Sequence, residues 1–232
     1  MPSSNLIAAA FRASTPVLFG YVPLGMAFGV LFTQLGYPWY YATVMGLAVY
    51  AGAAQFMSVG LLAAGAGIGE IALTTLLLNA RHSFYGLSLI PRFPRRGLQR
   101  LYLIFGLTDE TYSLLTGVRP PPDHNPHHFF LAVTGLNQLY WVVGCTAGAL
   151  LGAGGGMQVE GLDFTLTALF VVLTIEQALA LREARPFAIA VASAAVAFAV
   201  AGSENMLLVG LGLATFALLA DPRRREWART ST

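Results

Sequence analysis

Between Ile71 and Ile90 the chain is apolar except near its middle, where Arg81 and His82 stand side by side. A second apolar stretch, Leu101 to Val118, carries Asp109 and Glu110 near its own centre. Charges at bilayer depth cost at least ~2.5–3.5 kcal/mol each on insertion scales, so they persist mainly where they pair or meet a polar ligand. Two opposite-sign pairs at that depth demand a fold that brings polar groups together inside lipid. Backbone polar groups must also be satisfied there, and non-helical backbone survives only inside protein or beside a wet cavity. The fold class that follows is all-α, a polytopic transmembrane helix bundle with broken or re-entrant helices. Such a bundle suits moving, or binding, something polar within the bilayer.

Only 10% of the 232 residues are charged, against about 25% in soluble domains. No polar run is long enough to fold alone, so residues 1–232 read as a single integral membrane transport domain. Eight apolar segments, 16–35, 40–65, 70–90, 101–118, 128–152, 162–181, 186–202 and 204–220, are long enough to cross, or nearly cross, a ~30 Å hydrocarbon core. The first contains Gly20, Pro23 and Gly25 and lacks a clear cleavage site, so it is expected to stay in the membrane.

All thirteen lysine-or-arginine positions are arginines, and apart from Arg81 they gather at segment ends, which marks topology signals and not a nucleic-acid surface. With a cytoplasmic N-terminus and eight full crossings, Arg12, Arg119, Arg182, Arg185 and Arg223 to Arg225 fall inside. Arg92, Arg95, Arg96 and Arg100 then fall outside, against the positive-inside tendency. The conflict disappears if segments 70–90 and 101–118 are both re-entrant from the cytoplasmic side; otherwise these arginines are an exception to the rule.

Several residues could carry chemistry. Pro23 between Gly20 and Gly25 can break the first helix and expose a half-helix N-terminus, beside Tyr21, to a carboxylate. It can equally kink a continuous helix whose Gly25 and Gly29 form a packing face. Gln55 offers strong hydrogen bonds within a small-residue run, to another helix or to a substrate. Asn79, Arg81 and His82 form the densest polar cluster; on a regular helix Asn79 and His82 share one face, and Arg81 points away from Asn79. Arg81 has two readings, an ion pair with Asp109 or Glu110 and a direct substrate contact, while His82 can shuttle a proton or simply hold a structural hydrogen bond. Asp109 is central to a polar stripe with Tyr102, Gly106, Ser113 and Thr116. Gly144, Gly148 and Gly152, near Asn137, Gln138 and Trp141, read as a helix-packing face.

No P-loop, HExxH or GxSxG is present, and Cys145 is the sole cysteine, so neither an enzyme nor a metal or other cofactor is expected. His124, His127 and His128 stand in a polar turn and read as surface residues.

Taken in order, Pro16…Gly20-Tyr21-Val22-Pro23-Leu24-Gly25…Gly29, Tyr50-Ala51-Gly52-Ala53-Ala54-Gln55-Phe56, Leu78-Asn79-Ala80-Arg81-His82…Tyr85 and Thr108-Asp109-Glu110 resemble the AzlC family. That family is the large subunit of bacterial branched-chain amino-acid exporters. The resemblance implies efflux of leucine, isoleucine and valine, and often methionine, across the bacterial inner membrane, driven by the proton gradient. It further implies a small, separately encoded AzlD-type membrane subunit, and a higher oligomer of that pair is a further expectation. Together with the residue reading, it makes Tyr21, Gly25, Gln55, Asn79 and Arg81 the expected substrate-binding set. His82, Asp109 and Glu110 are the expected proton-coupling groups. The competing readings are a channel or scaffold subunit whose buried charges are structural, and an importer permease.

Overall fold

A computed structural model describes residues 6–80, 82, 86, 89–154, 171, 174, 175, 178 and 183–221. The described residues are helical and without strands. They divide into two compact units, one formed by residues 1–65 and 78–163 and the other by 66–77 and 164–232.

Two long helices carry the first unit. Helix α1 (Leu6–Gln34) has 29 residues and α7 (Pro126–Ala153) has 28; at 1.5 Å per residue each reaches over ~40 Å, enough to cross the bilayer. Asn125 starts α7 by accepting a hydrogen bond from the His127 amide, with Pro126 in the first turn. Glycines set the contact between these helices. Beta carbons at Gly29 and Gly148 would overlap the backbones of Cys145 and Met26 respectively, so only glycine permits this approach. Gly25 meets Gly144 and Cys145, and Gly152 meets Val30 and Thr33, so residue numbers rise together and the helices run parallel.

Of the two readings at Pro23, a broken helix and a continuous one, the structure has the continuous helix. Both Pro16 and Pro23 lie inside a continuous α1. They sit with Phe19 and Gly20 on its exposed face, away from α7, where a lost hydrogen bond and a slight bend disturb no packing.

Segment 40–65, read as one span, is two half-length helices, α2 (Trp39–Ala48) and α3 (Gly52–Ala63). Along α2, Thr43 bonds Thr146 at 2.8 Å, Gly46 packs on Val142, and the Leu47 carbonyl accepts from Gln138 at 3.1 Å. Numbers rise in α2 as they fall in α7, so α2 descends toward mid-depth. Helix α3 climbs back, since Gly52 and Gln55 meet Trp141 while Phe56 meets Phe28, beside the Gly29 contact. The reversal occupies Val49 to Ala51, with Tyr50 at a left-handed φ of 43°. Such backbone is uncommon outside glycine and clusters where function requires it.

A second re-entrant pair enters from the other end. After a 3-10 turn at Ile90–Arg92, α4 (Ile68–Asn79) having come earlier, the chain forms α5 (Leu98–Phe105) and α6 (Asp109–Gly117). Both of its ends lie at the N-terminal ends of α1 and α7. Phe93 packs on Phe130, and Arg92 lies over Phe130 while donating to the Leu115 carbonyl. Leu89, Leu103, Leu107 and Leu115 share one buried cluster with Ala10, Phe129 and Val133. The tip, Gly106 to Thr108, reaches Tyr21 halfway along α1. Segment 101–118 is therefore re-entrant, one of the two readings that the arginine pattern left open, and 39–63 forms another re-entrant pair; within segment 70–90, residues 81, 83–85, 87 and 88 lie outside the described residues.

The arginine conflict resolves with it. Helix α3 ends near the C-terminal end of α1, and the chain reappears at Leu89 near the N-terminal end. Arg92 and its neighbours thus share a membrane face with Arg12 and Arg119. In a Cys145→Ser background, Arg95→Cys and Tyr37→Cys are expected to react with a membrane-impermeant maleimide from opposite sides of the membrane. Labelling of both from one side would contradict this topology.

In the second unit, α8 (Arg185–Ala220) is a helical hairpin turned at Gly202, whose φ of 70° and ψ of −177° lie outside the helical range. Gly210 packs against Ala194 and Ala197, and the Arg185 Nε meets the Asp221 carboxylate at 2.9 Å where the arms close. The expected segments 186–202 and 204–220 are its two arms. Of the eight expected spans, three helices among the described residues have full crossing length, Leu6–Gln34, Pro126–Ala153 and Arg185–Gly202. Segment 162–181 lies largely outside the described residues.

Candidate functional site

Both re-entrant tips converge on the middle of α1 and α7. Their length explains this: α2 and α3 have 10 and 12 residues, α5 and α6 have 8 and 9, so each rises only ~12–18 Å, about half the hydrocarbon core. Tyr50, at the first tip, stacks near Phe105, next to the second, with ring centroids 6.2 Å apart.

Tyr21 is the hub. Its hydroxyl donates to Glu110 Oε2 at 2.6 Å and lies 2.7 Å from Thr108 Oγ1. Thr108 caps α6 by accepting from the Thr111 amide, and Thr111 Oγ1 accepts from Asn137 Nδ2 at 3.0 Å. On the other side, the Tyr21 ring meets Trp141 edge to face, and Trp141 Nε1 donates to Gln55 Oε1 at 2.8 Å. Hydrogen bonds thus join α1, α6 and α7 at mid-depth, and the Tyr21–Trp141 ring contact links them to Gln55 of α3.

That network is incompletely satisfied. Gln55 Nε2, Asn137 Oδ1 and the Tyr50 hydroxyl are buried without a well-formed hydrogen bond among the described residues, the Tyr50 hydroxyl lying beside Thr111 and Tyr21 and the Gln55 side chain beside Cys145. Leaving such groups unpaired costs about 1–3 kcal/mol each, so their concentration at one depth favours a polar guest.

Around it, the expected residues distribute as follows. Tyr21, Gln55 and Glu110 belong to the network. His82 and Asp109 form a neighbouring pair, Nε2 to Oδ1 at 3.8 Å, each about a quarter exposed at 26% and 29%. Asn79 closes α4, its carbonyl 3.2 Å from His82 Nδ1. Gly25 lies in the α1–α7 seam, where Cys145 N would stand 2.9 Å from a β-carbon. Arg81 lies outside the described residues. Sequence reading left Tyr50, Thr108 and Thr111 out of the site and gave Asn137 and Trp141 to helix packing first and to a pore wall second. The Thr108-Asp109-Glu110-Thr111 sequence was the available signal, because threonine before acidic residues starts a helix. Among the described residues, no three His, Cys, Asp or Glu side chains converge to hold a metal ion.

A protein-family model described as AzlC protein matches residues 16–154, which include both tips and all of α7. The chain is 36% identical over 181 residues to the Bacillus subtilis "Branched-chain amino acid transport protein AzlC", covering 76% of this chain and 71% of that protein. It is 33% identical to the Escherichia coli "Inner membrane protein YgaZ", with 73% and 72% covered. An "Uncharacterized membrane protein" of Helicobacter pylori J99 is 36% identical over 217 residues, 94% of this chain and 95% of that one. No solved structure matches the chain.

Proposed function

The chain belongs to the AzlC family, and from that premise we propose that it transports branched-chain amino acids, with Tyr21, Gln55, Glu110 and the flanking Asn137 and Trp141 as the substrate site. The observation that carries the reading is the mid-depth meeting of two re-entrant tips around a hydrogen-bonded network with three buried polar groups that lack a well-formed bond. Half-length helices ending at bilayer depth are how transporters present backbone and side-chain dipoles to a solute. Apolar rings of Phe105, Tyr50 and Trp141 nearby suit a branched aliphatic side chain.

The finer parts of the proposal are export, coupling to protons, and assembly in the bacterial inner membrane with a small AzlD-type subunit. Proton coupling is supported by the His82–Asp109 pair, an imidazole and a carboxylate within ion-pair reach beside the substrate site. The arginine-bearing face supports a cytoplasmic N-terminal end.

Counterflow of labelled leucine and valine in proteoliposomes, with and without a co-expressed small subunit, tests the reading. Exchange that needs no ATP and speeds up under an imposed pH gradient is the expected result. Uptake that requires ATP would favour the importer. Absence of exchange in both preparations would leave the polar path as a structural device of a scaffold.

A further inference from the structure

Arg92, Arg95, Arg96 and Arg100 crowd the base of the second re-entrant pair, and the fold uses only the outer two. Arg92 lies over the Phe130 ring and donates to the Leu115 carbonyl. Arg100 donates to the Pro94 and Arg95 carbonyls at 3.2 Å each, closing the connection on itself. Buried Phe93 pins the same connection to Phe130, and Gly97, at a φ of 99°, turns it into α5. Arg95 and Arg96 are left exposed, with no ion pair to an acid among the described residues. The first unit adds Arg12 and Arg119 on this face, against one acid among the described residues, Asp123.

The helix that follows supplies an apolar complement. On α5, Leu98, Leu101 and Phe105 stand at i, i+3 and i+7 and share one face; they are 83%, 63% and 43% exposed. Elsewhere the helix is held to protein, since Leu103 is fully buried and Tyr102 donates to Gln138 of α7 at 2.7 Å. The eight residues of α5 rise ~12 Å, most of one leaflet of a ~30 Å core. The ridge therefore runs from the arginine surface to mid-depth, where Phe105 lies beside Tyr50. Two cations at headgroup level above such a ridge match one ligand chemistry, a phosphate joined to an acyl chain. We propose that this edge of α5 binds an anionic phospholipid, its phosphate held by Arg95 and Arg96 and its acyl chain laid along Leu98, Leu101 and Phe105. A tail in that position covers the flank of the two tips and steadies the hairpin that carries Glu110. The site stands on charge and exposure, whichever solute the protein moves.

The test reads protection of the purified full-length chain against thermal unfolding in a neutral detergent. Its ligands are phosphatidylglycerol, phosphatidylcholine with the same acyl chains, and glycerol phosphate. Phosphatidylglycerol is expected to protect the parent, with the other two at least about tenfold weaker, one lacking net charge and the other the tail. The double variant Arg95→Gln, Arg96→Gln is expected to fold as the parent does, because both side chains are exposed. It should lose about thirtyfold in phosphatidylglycerol affinity, the weight of two cations at a lipid surface. A control pair, Arg12→Gln with Arg119→Gln, removes the same charge from the same face and is expected to keep parental affinity. Equal losses in the two double variants would reduce the effect to diffuse attraction and overturn the site. Phosphatidylglycerol that protects no better than phosphatidylcholine would overturn the arginine contact. Glycerol phosphate that protects as well as the lipid would make the ligand a free phosphate and remove the ridge from the site. Protection that disappears when a small membrane subunit is co-purified would give the ridge to a protein partner and overturn the lipid assignment. Should the first pair fail to fold, Arg95→Gln alone and the parent's ranking of the three ligands decide.

Discussion

Gly148→Leu is expected to remove folded protein from the membrane, while the same change at Gly20 leaves it intact. Both glycines lie within long apolar helices and both changes raise hydrophobicity, so hydropathy alone predicts no difference. The contacts do. A β-carbon at Gly148 would overlap the Met26 backbone, whereas at Gly20 nothing stands within 4 Å. Extra carbons in a tight core usually cost about 1–3 kcal/mol when side chains can yield. Here the obstruction is main chain in a second helix, which can yield only if the parallel α1–α7 pair separates. Monodisperse protein recovered in mild detergent should fall at least about tenfold for Gly148→Leu, the consequence of losing more than 1.4 kcal/mol from a marginal fold. Equal recovery of the two variants would mean that the seam is not what holds the first unit together.

Glu110→Gln is expected to abolish most transport with little loss of folded protein. The carboxylate accepts from Tyr21 at 2.6 Å, yet Glu110 itself is exposed at the start of α6. Exposure means that neutralising it empties no cavity and strands no buried charge. The helix loses only a favourable dipole contact, roughly 0.3–1 kcal/mol. A charge-assisted bond is worth about 1.5–3 kcal/mol, so leucine counterflow should fall some 10–100-fold. Tyr21→Phe should fall comparably, and the double variant should fall little further, because both changes break one interaction. Strictly multiplicative losses would place the two residues in separate steps, and parental counterflow in Glu110→Gln would remove the carboxylate from the site.

Hydropathy makes the long elements readable. Helices α1 and α7 and the arms of α8 follow from apolar length, and the glycine spacing at 25 and 29 and at 144, 148 and 152 marks the faces that meet. Charge also carried information about path. The clustering of Arg92 to Arg100 left either a re-entrant chain or an exception to the positive-inside rule, and 101–118 is re-entrant. The reversal at Tyr50 is illegible for a physical reason. Alanine and glycine in Tyr50-Ala51-Gly52-Ala53-Ala54 are compatible with an unbroken helix, and tyrosine does not announce left-handed backbone. Pro23 left a break and a continuous helix both open, and the Gly25 and Gly29 packing face already spoke for the continuous one, because proline need not break a membrane helix whose freed backbone groups are satisfied otherwise. Tyr21 and Glu110 were visible as polar residues at depth, but Asn137 and Trp141 were hidden beside a glycine series with a sufficient structural explanation of its own.

Each re-entrant tip is tethered to a single membrane surface, because both arms of its pair leave toward the same end of α1 and α7. A reagent in one compartment can therefore reach one hairpin along its shafts and meets the other only at the apex. Blocking molecules should inherit that sidedness. A compound wedged between α2 and α3 would act from the surface opposite the arginines, and one wedged between α5 and α6 from the arginine surface, with neither able to substitute for the other.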